Sequence, residues 1–264
     1  MFNTVGHLTT AHVRAFDGDI GPIKFALFDD QDWVVRYLVV DAGAWLAERD
    51  VLVSPYSIKQ PMGSGRAINV ALTRRLVRAS PALEPDVAVS REQEQQFERH
   101  YHYPAYWNGG GLWALGATPL PSMAPPPGVD APNRTQYPAG MQLRSTVVLN
   151  GFEICGAGHA IGTVQDLVFD EESWQIHYLV ADTSSWWLGG RRVLIARTWV
   201  DGVDWDSRQI HVDLTRQQLR SSPPYQDVAS IGRDYEVLLH GTYARPGYWA
   251  VVDSGPMPST KAPS

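Results

Sequence analysis

Residues 33–46 read WVVRYLVVDAGAWL and residues 174–187 read WQIHYLVADTSSWW, nearly the same sentence 141 positions apart. An internal repeat of this kind limits the fold more than any local pattern, because each copy has to build the same unit. At that offset Ile20-Gly21 falls on Ile161-Gly162 and Phe28-Asp29 on Phe169-Asp170. Trp33, Tyr37, Leu38, Val39, Asp41 and Trp45 fall on Trp174, Tyr178, Leu179, Val180, Asp182 and Trp186. One inserted residue then moves the offset to 142, and Arg49, Val51 and Leu52 fall on Arg191, Val193 and Leu194. RAINVALTRRLVRASP (66–81) and RQIHVDLTRQQLRSSP (208–223) share nine of sixteen residues. Arg91, Tyr101, Pro104, Tyr106 and Trp107 meet Arg233, Tyr243, Pro246, Tyr248 and Trp249 in the same register.

The copies imply their own boundaries. Gly and Pro make up 13 of the 36 residues of 108–143, a composition that reads as a linker. The expected order is a first repeat over 1–107, a linker over 108–143, a second repeat over 144–249 and a disordered tail over 250–264.

Within each copy the pattern is mostly that of strands. Val35, Tyr37 and Val39 stay apolar as Ile176, Tyr178 and Val180, while Val34 and Arg36 become Gln175 and His177. This predicts a strand with one constant buried face and one variable outer face. IGPIKFALF (20–28) and IGTVQDLVF (161–169) precede it, and the acidic tetrads DDQD and DEES form the turn of a hairpin. Further strands are expected at 49–53, 66–70, 191–195 and 208–212. Thr73 and Thr215 are placed to cap short helices that stop before Ser80-Pro81 and Ser222-Pro223. Ser90 and Gln93 have capping-box spacing for a second helix over 91–100, with Phe97 and Tyr101 on one face. The expected fold class is mainly β: two small antiparallel barrels related by duplication, each followed by short helices.

The pattern of Gly, strand, Phe-Asp, turn, Trp-x-x-x-Tyr-Leu-Val-x-Asp and Arg-x-Val-Leu resembles the PRC-barrel domain over about 13–71 and 154–213. That domain occurs in the cytoplasmic part of the photosynthetic reaction centre H subunit and in the ribosome maturation factor that assists 30S assembly. The resemblance therefore implies two alternatives to a plain interaction module. One is a ribosome- or RNA-related assembly factor, and the other a reaction-centre-like role in tuning electron or proton transfer.

The chemistry-bearing residues are sparse. The formal charge of −6 argues against holding nucleic acid on a broad basic surface. Cys155, the single cysteine, excludes an intrachain disulfide and reads as a small buried hydrophobe. His100 and His102 become Thr242 and Ala244 in the other copy, which does not suit a metal site. Asp29/Asp170 and Asp41/Asp182 read as turn caps at strand ends. No nucleophile elbow or phosphate loop is present, so no catalytic, cofactor-binding or metal-binding residue is assigned, and a non-enzymatic role is expected. Trp186, Trp187 and Leu188, followed by Arg191 and Arg192, form an aromatic and Arg cluster in a predicted loop, and are the candidate contact for a protein partner or a second copy. The N-terminus lacks a signal-peptide pattern and no stretch is apolar enough to span a bilayer, so a cytoplasmic protein with no membrane insertion is expected.

Overall fold

The computed structural model describes residues 1–47, 49–59, 66–83, 89–120, 141–184 and 190–253. Met1–Phe152 and Val164–Leu179 form one unit, Glu153–Thr163 and Val180–Ser264 the other. Among the described residues thirteen strands make up two mixed sheets.

The first unit opens with β1 (Phe2–Thr4) and the single-turn helix α1 (Val5–Leu8). Then come β2 (His12–Ala15), β3 (Gly18–Asp29), β4 (Val35–Asp41), β5 (Asp50–Val53) and β6 (Ala67–Asn69), the short α2 (Arg74–Arg78) and α3 (Arg91–Tyr101). Later in the chain, β7 (Leu143–Ser145) and α4 (Thr146–Leu149) repeat β1 and α1. The other copy continues with β8 (Glu153–Gly156), β9 (His159–Asp170), β10 (Ile176–Asp182), β11 (Arg192–Ala196), β12 (Val200–Asp204), β13 (Gln209–Val212), α5 (Arg216–Ser221) and α6 (Arg233–Thr242). The inner ends of β9 and β10 belong to the second unit and their outer ends to the first.

The expected hairpins form: β3 pairs antiparallel with β4, and β9 lies beside β10. Gly21, at φ +149, sits where any Cβ would run into the Asp41 carbonyl oxygen, so only glycine fits the strand there. The caps also form as read. Thr73 Oγ1 accepts from Leu76 N–H, and both Ser90 and Thr215 head complete capping boxes.

Two expectations need correcting. The sheets are not purely antiparallel, because β2–β6 and β8–β13 are parallel pairs. Alternation along a strand fixes which face is buried and not the direction of its neighbour. Among the described residues the strands pair along the paths β5-β4-β3-β2-β6 and β11-β10-β9-β8-β13-β12. In the first, Ile58 beyond β5 bridges Val70 beyond β6. The second correction concerns Val34 and Arg36. They were expected on an outer face, yet both are fully buried. In this copy the outer face is covered by Tyr106 and Trp113, whose rings lie 4.0 and 4.8 Å from the Arg36 guanidinium.

The first unit also carries an exchange of strands between the copies. β1, which leads the first copy, pairs with β9 in the register Phe2↔Asp170, Asn3↔Phe169, Thr4↔Val168. β7, which leads the second, pairs with β3 in the equivalent register Leu143↔Asp29, Arg144↔Phe28, Ser145↔Leu27. The hairpin tips cross-pair as well. Val35 N–H donates to Trp174 O at 2.9 Å and Ile176 N–H donates to Trp33 O at 2.7 Å, a symmetric couple at the repeat offset. Trp33 and Trp174, both buried, hold left-handed backbone at φ 57 and 61, which turns the chain at this crossing.

The stretch expected as a linker begins as ordered structure. Gly111 N–H donates to Ala114 O and Trp113 N–H to Gly116 O, each at 2.8 Å, while Ala114 N–H returns to Tyr106 O at 3.0 Å. The close approach uses Gly109, at φ +158, where a Cβ would collide with the Ala114 carbonyl. At the other end a 3₁₀ turn, Tyr248–Asp253, extends into the stretch expected as a tail from residue 250; residues 254–264 lie outside those described.

Candidate functional site

Each copy ends in a short helix followed by Tyr-Trp, and it is there that charged and aromatic side chains gather. In the first copy, α3 buries Glu94, Phe97, Glu98 and Tyr101, the i, i+3, i+4, i+7 face of a helix. Glu94 accepts from Tyr37 Oη at 3.2 Å and Tyr106 Oη at 2.8 Å, and pairs with Arg91 at 2.8 Å. Burial outweighs the Arg91 charge and pushes the Glu94 carboxyl up to about 7. Glu98, only 7% exposed, has a buried Oε1 with no hydrogen-bond partner among the described residues. Burial, with the Glu94 charge adding to it, raises Glu98 to about 9.

This pair sets a pH dependence. The folded state holds protons that the unfolded chain has released above about 4.5. Their contribution to stability is therefore complete below that pH and is lost as pH rises through about 7 and then about 9. Glu98→Gln is expected to be more stable than the wild type at about pH 8 by on the order of 2–4 kcal/mol relative to the same comparison at about pH 5. Thermal melts of both proteins across that range check this.

Arg36 lies beside the pair. Its side chain is 1% exposed, donates from Nε to the fully buried Asp29 at 2.8 Å and donates from Nη1 to Leu112 O. Asp29 also caps the hairpin turn, accepting from Gln31 and Asp32 N–H, as its position in the sequence led one to expect. Trp113, on the glycine-rich turn, is 3% exposed and closes the site. Its ring meets Tyr56 edge-on at 5.0 Å and Tyr106 at 6.4 Å, and its indole N–H donates to Ser173 O at 2.7 Å.

The second copy keeps the frame and changes the filling. Arg233 pairs with buried Glu236 at 3.0 Å and lies 4.2 Å over Trp249, as Arg91 pairs with Glu94 and lies 4.1 Å over Trp107. His240 stands at the position of Glu98. Its Nδ1 faces Pro246 O at 3.0 Å, so that nitrogen carries the proton, and burial lowers its pKa. Trp199 replaces Ser57 and packs on Tyr243 and His240, with ring centroids at 4.5 and 5.1 Å. Beside it lies an open pocket of about 300 Å³ lined by Thr198, Trp199, Arg245, Pro246, Gly247 and Tyr248. At the repeat offset these are Tyr56, Ser57, Tyr103, Pro104, Ala105 and Tyr106, the stretch of the first copy whose Tyr56 and Tyr106 rings meet Trp113. A smaller groove of about 160 Å³, lined among others by Val5, Thr146, Val147 and Asp166, lies in the first unit beside exposed Val147 and Val148.

Of the contact residues expected from sequence, Trp186, Trp187 and Leu188 lie outside the described residues. Arg191 donates to the carbonyls of Arg220 and Ser222 at 3.0 and 2.6 Å, tying the start of the β11 segment to the end of α5. Arg49 makes the same bonds to Arg78 and Ser80 in the first copy. Arg192 donates to Gln226 O at 3.1 Å. The structure does not gather these two arginines at the pocket. Cys155 is half-buried in β8, with its thiol pKa raised by burial and by Glu153. His100 bonds Leu76 O, and among the described residues no group of His, Cys, Asp and Glu is arranged to hold a metal ion. Nor, among them, is any helix long and apolar enough to cross a membrane. Sequence reasoning missed Arg36 and Trp113, the first through the alternation of its strand and the second through its glycine-rich surroundings.

Residues 149–219 match the PRC-barrel domain. The match runs from Leu149 in α4 to Leu219 in α5 and takes in β8–β13. The matched segment thus contains Thr198 and Trp199 of the open pocket, while Arg245–Tyr248 follow it. Comparison with the curated proteins gives no match to the chain.

Proposed function

We propose that the chain is a tandem of two PRC-barrel repeats serving as a non-enzymatic interaction module, which docks a protein partner through the Thr198–Tyr248 pocket of its second repeat. One observation carries this reading. The pocket, of about 300 Å³, is lined by Thr198 and Tyr248, which stand at the repeat positions of Tyr56 and Tyr106, the two rings that meet Trp113 in the first copy. That volume is at the lower end of what binding pockets offer. Strand and helix boundaries recurring at the repeat offset support assigning the first copy to the same domain. One cysteine in 264 residues fits the reducing cytoplasm.

The test is affinity capture from native lysate with the wild-type chain and with Thr198→Trp, which places a bulky ring at the rim of the pocket. The expected result is a protein that co-elutes with the wild type after nuclease treatment and is depleted roughly tenfold by the variant. Identical sets from both chains would overturn the reading. Ribosomal proteins that vanish with nuclease would point instead to an assembly role.

A further inference from the structure

The ends of α2 and α3 in the first copy gather positive charge in a chain whose formal charge is −6. α2 reads Arg-Arg-Leu-Val-Arg over Arg74–Arg78, and α3 closes on Arg99, His100 and Tyr101 before its left-handed cap, His102. His100 Nε2 donates to Leu76 O at 2.9 Å and so fastens the two helix ends together. Arg75, Arg78, Arg99 and His102 are exposed there. The guanidiniums of Arg74 and Arg78 lie 4.3 and 5.7 Å from the ring of Trp45, whose indole N–H donates to Ile20 O at 2.8 Å. A guanidinium resting on a fixed ring keeps its N–H edge for an anion.

The packing of the helices does not use these charges. The carbonyls at the end of α2 are already satisfied: Arg75 O and Val77 O by Ala79 and Ser80 N–H, Leu76 O by His100, and Arg78 O and Ser80 O by Arg49. Among the described residues none of Arg74, Arg75, Arg78 and Arg99 forms an ion pair, although Arg36, Arg91, Arg144, Arg233 and Arg245 all do. Glu94 and Glu98 belong to the buried face of α3. Arg74 and Arg78 stand four residues apart on their helix, where like charges repel.

The second copy shows that the fold does not require the full set. At the repeat offset Arg75 becomes Gln217, Arg99 becomes Gly241 and His102 becomes Ala244, while Arg74 and Arg78 stay as Arg216 and Arg220. The helices α5 and α6 form there without the added charge.

We propose that this basic face docks a short acidic segment of a partner protein, whose carboxylates meet the guanidiniums of Arg75, Arg78 and Arg99. An arginine fork takes a carboxylate through two parallel N–H bonds. A short segment suits the face better than nucleic acid does. A long polyanion running past the patch meets the field of an acidic protein within a screening length of about 8 Å. The inference stands apart from the docking reading above, since no residue of the Thr198–Tyr248 pocket takes part in it.

The test titrates the isotope-labelled full chain with a blocked hexaglutamate peptide at physiological salt and follows the amide shifts. The expected result is saturable shifts at Arg75, Arg78, Arg99 and His102, with Arg216 and Arg220 unmoved, and loss of the shifts in about 1 M salt. Arg75→Gln combined with Arg99→Gln should melt as the wild type does and bind the peptide roughly tenfold more weakly. If that variant does not fold, Arg75→Gln alone, which installs the residue of the second copy, should weaken the peptide about threefold. No saturable shift at the four amides overturns the proposal, as does wild-type affinity in the folded variant. Tighter binding to a twelve-base oligothymidylate, or to phosphatidylglycerol vesicles, than to the peptide also overturns it, because the face would then serve nucleic acid or a membrane.

Discussion

Fragments 1–120 and 141–264, expressed together, are expected to co-purify as a one-to-one complex, and neither alone is expected to melt cooperatively. The reason is the strand exchange. Without β7, the β3 positions Leu27, Phe28 and Asp29 lose their partners, and without β9 the strand Phe2–Thr4 has nothing to pair with. The tip couple of Val35 with Trp174 and Ile176 with Trp33 is cut at the same time, as is the Asp30 N–H bond to Gln142 O. Phe28, Val34, Trp174 and Ile176, all fully buried, would meet water. Each buried backbone group left without a partner costs about 1–3 kcal/mol, and a whole domain has only about 5–15 kcal/mol to lose. Light scattering gives the stoichiometry and circular dichroism gives the melts. Two fragments that fold separately and ignore each other would refute the exchange.

Arg36→Met is expected to destabilise the protein by about 3–5 kcal/mol, the cost of removing one partner from a buried ion pair. Asp29 would be left with its charge at 0% exposure, and the Leu112 carbonyl would lose its donor. Tyr106 and Trp113 would lose the guanidinium on which they lie. The fall in Tm should be roughly 10 °C or more. In Asp29→Asn combined with Arg36→Met the loss should be smaller than the sum of the single losses, because the stranded charge is gone. Additive losses in that cycle would show that the two side chains act independently.

Much of this was legible in the sequence, for identifiable physical reasons. The hairpins could be read because their alternation and their acidic turns are local, and the helix starts because Thr73, Ser90 and Thr215 cap within three residues. The exchange could not be read, since Phe2–Thr4 and Leu143–Ser145 are three residues each and differ in every one. Nothing in so short a strand says which sheet it will join. Glu94 and Glu98 could have been found, because they share the helix face of Phe97 and Tyr101, but charge argued for the surface. Arg36 was hidden for a different reason. Its face is covered by a turn from outside the repeat, and no pattern within the strand records that cover. The same turn lies in a glycine- and proline-rich stretch, where composition speaks for a linker and only Trp113 speaks against it.

The most direct measurement places a photo-crosslinking amino acid at Thr198 on the rim of the open pocket, and in a second protein at Val147 beside the groove of the first unit, each in its native cells. The expected result is a discrete protein adduct at position 198 that is absent from position 147. No adduct at 198, or one formed only at 147, would contradict the assignment of the second copy's pocket as the docking site.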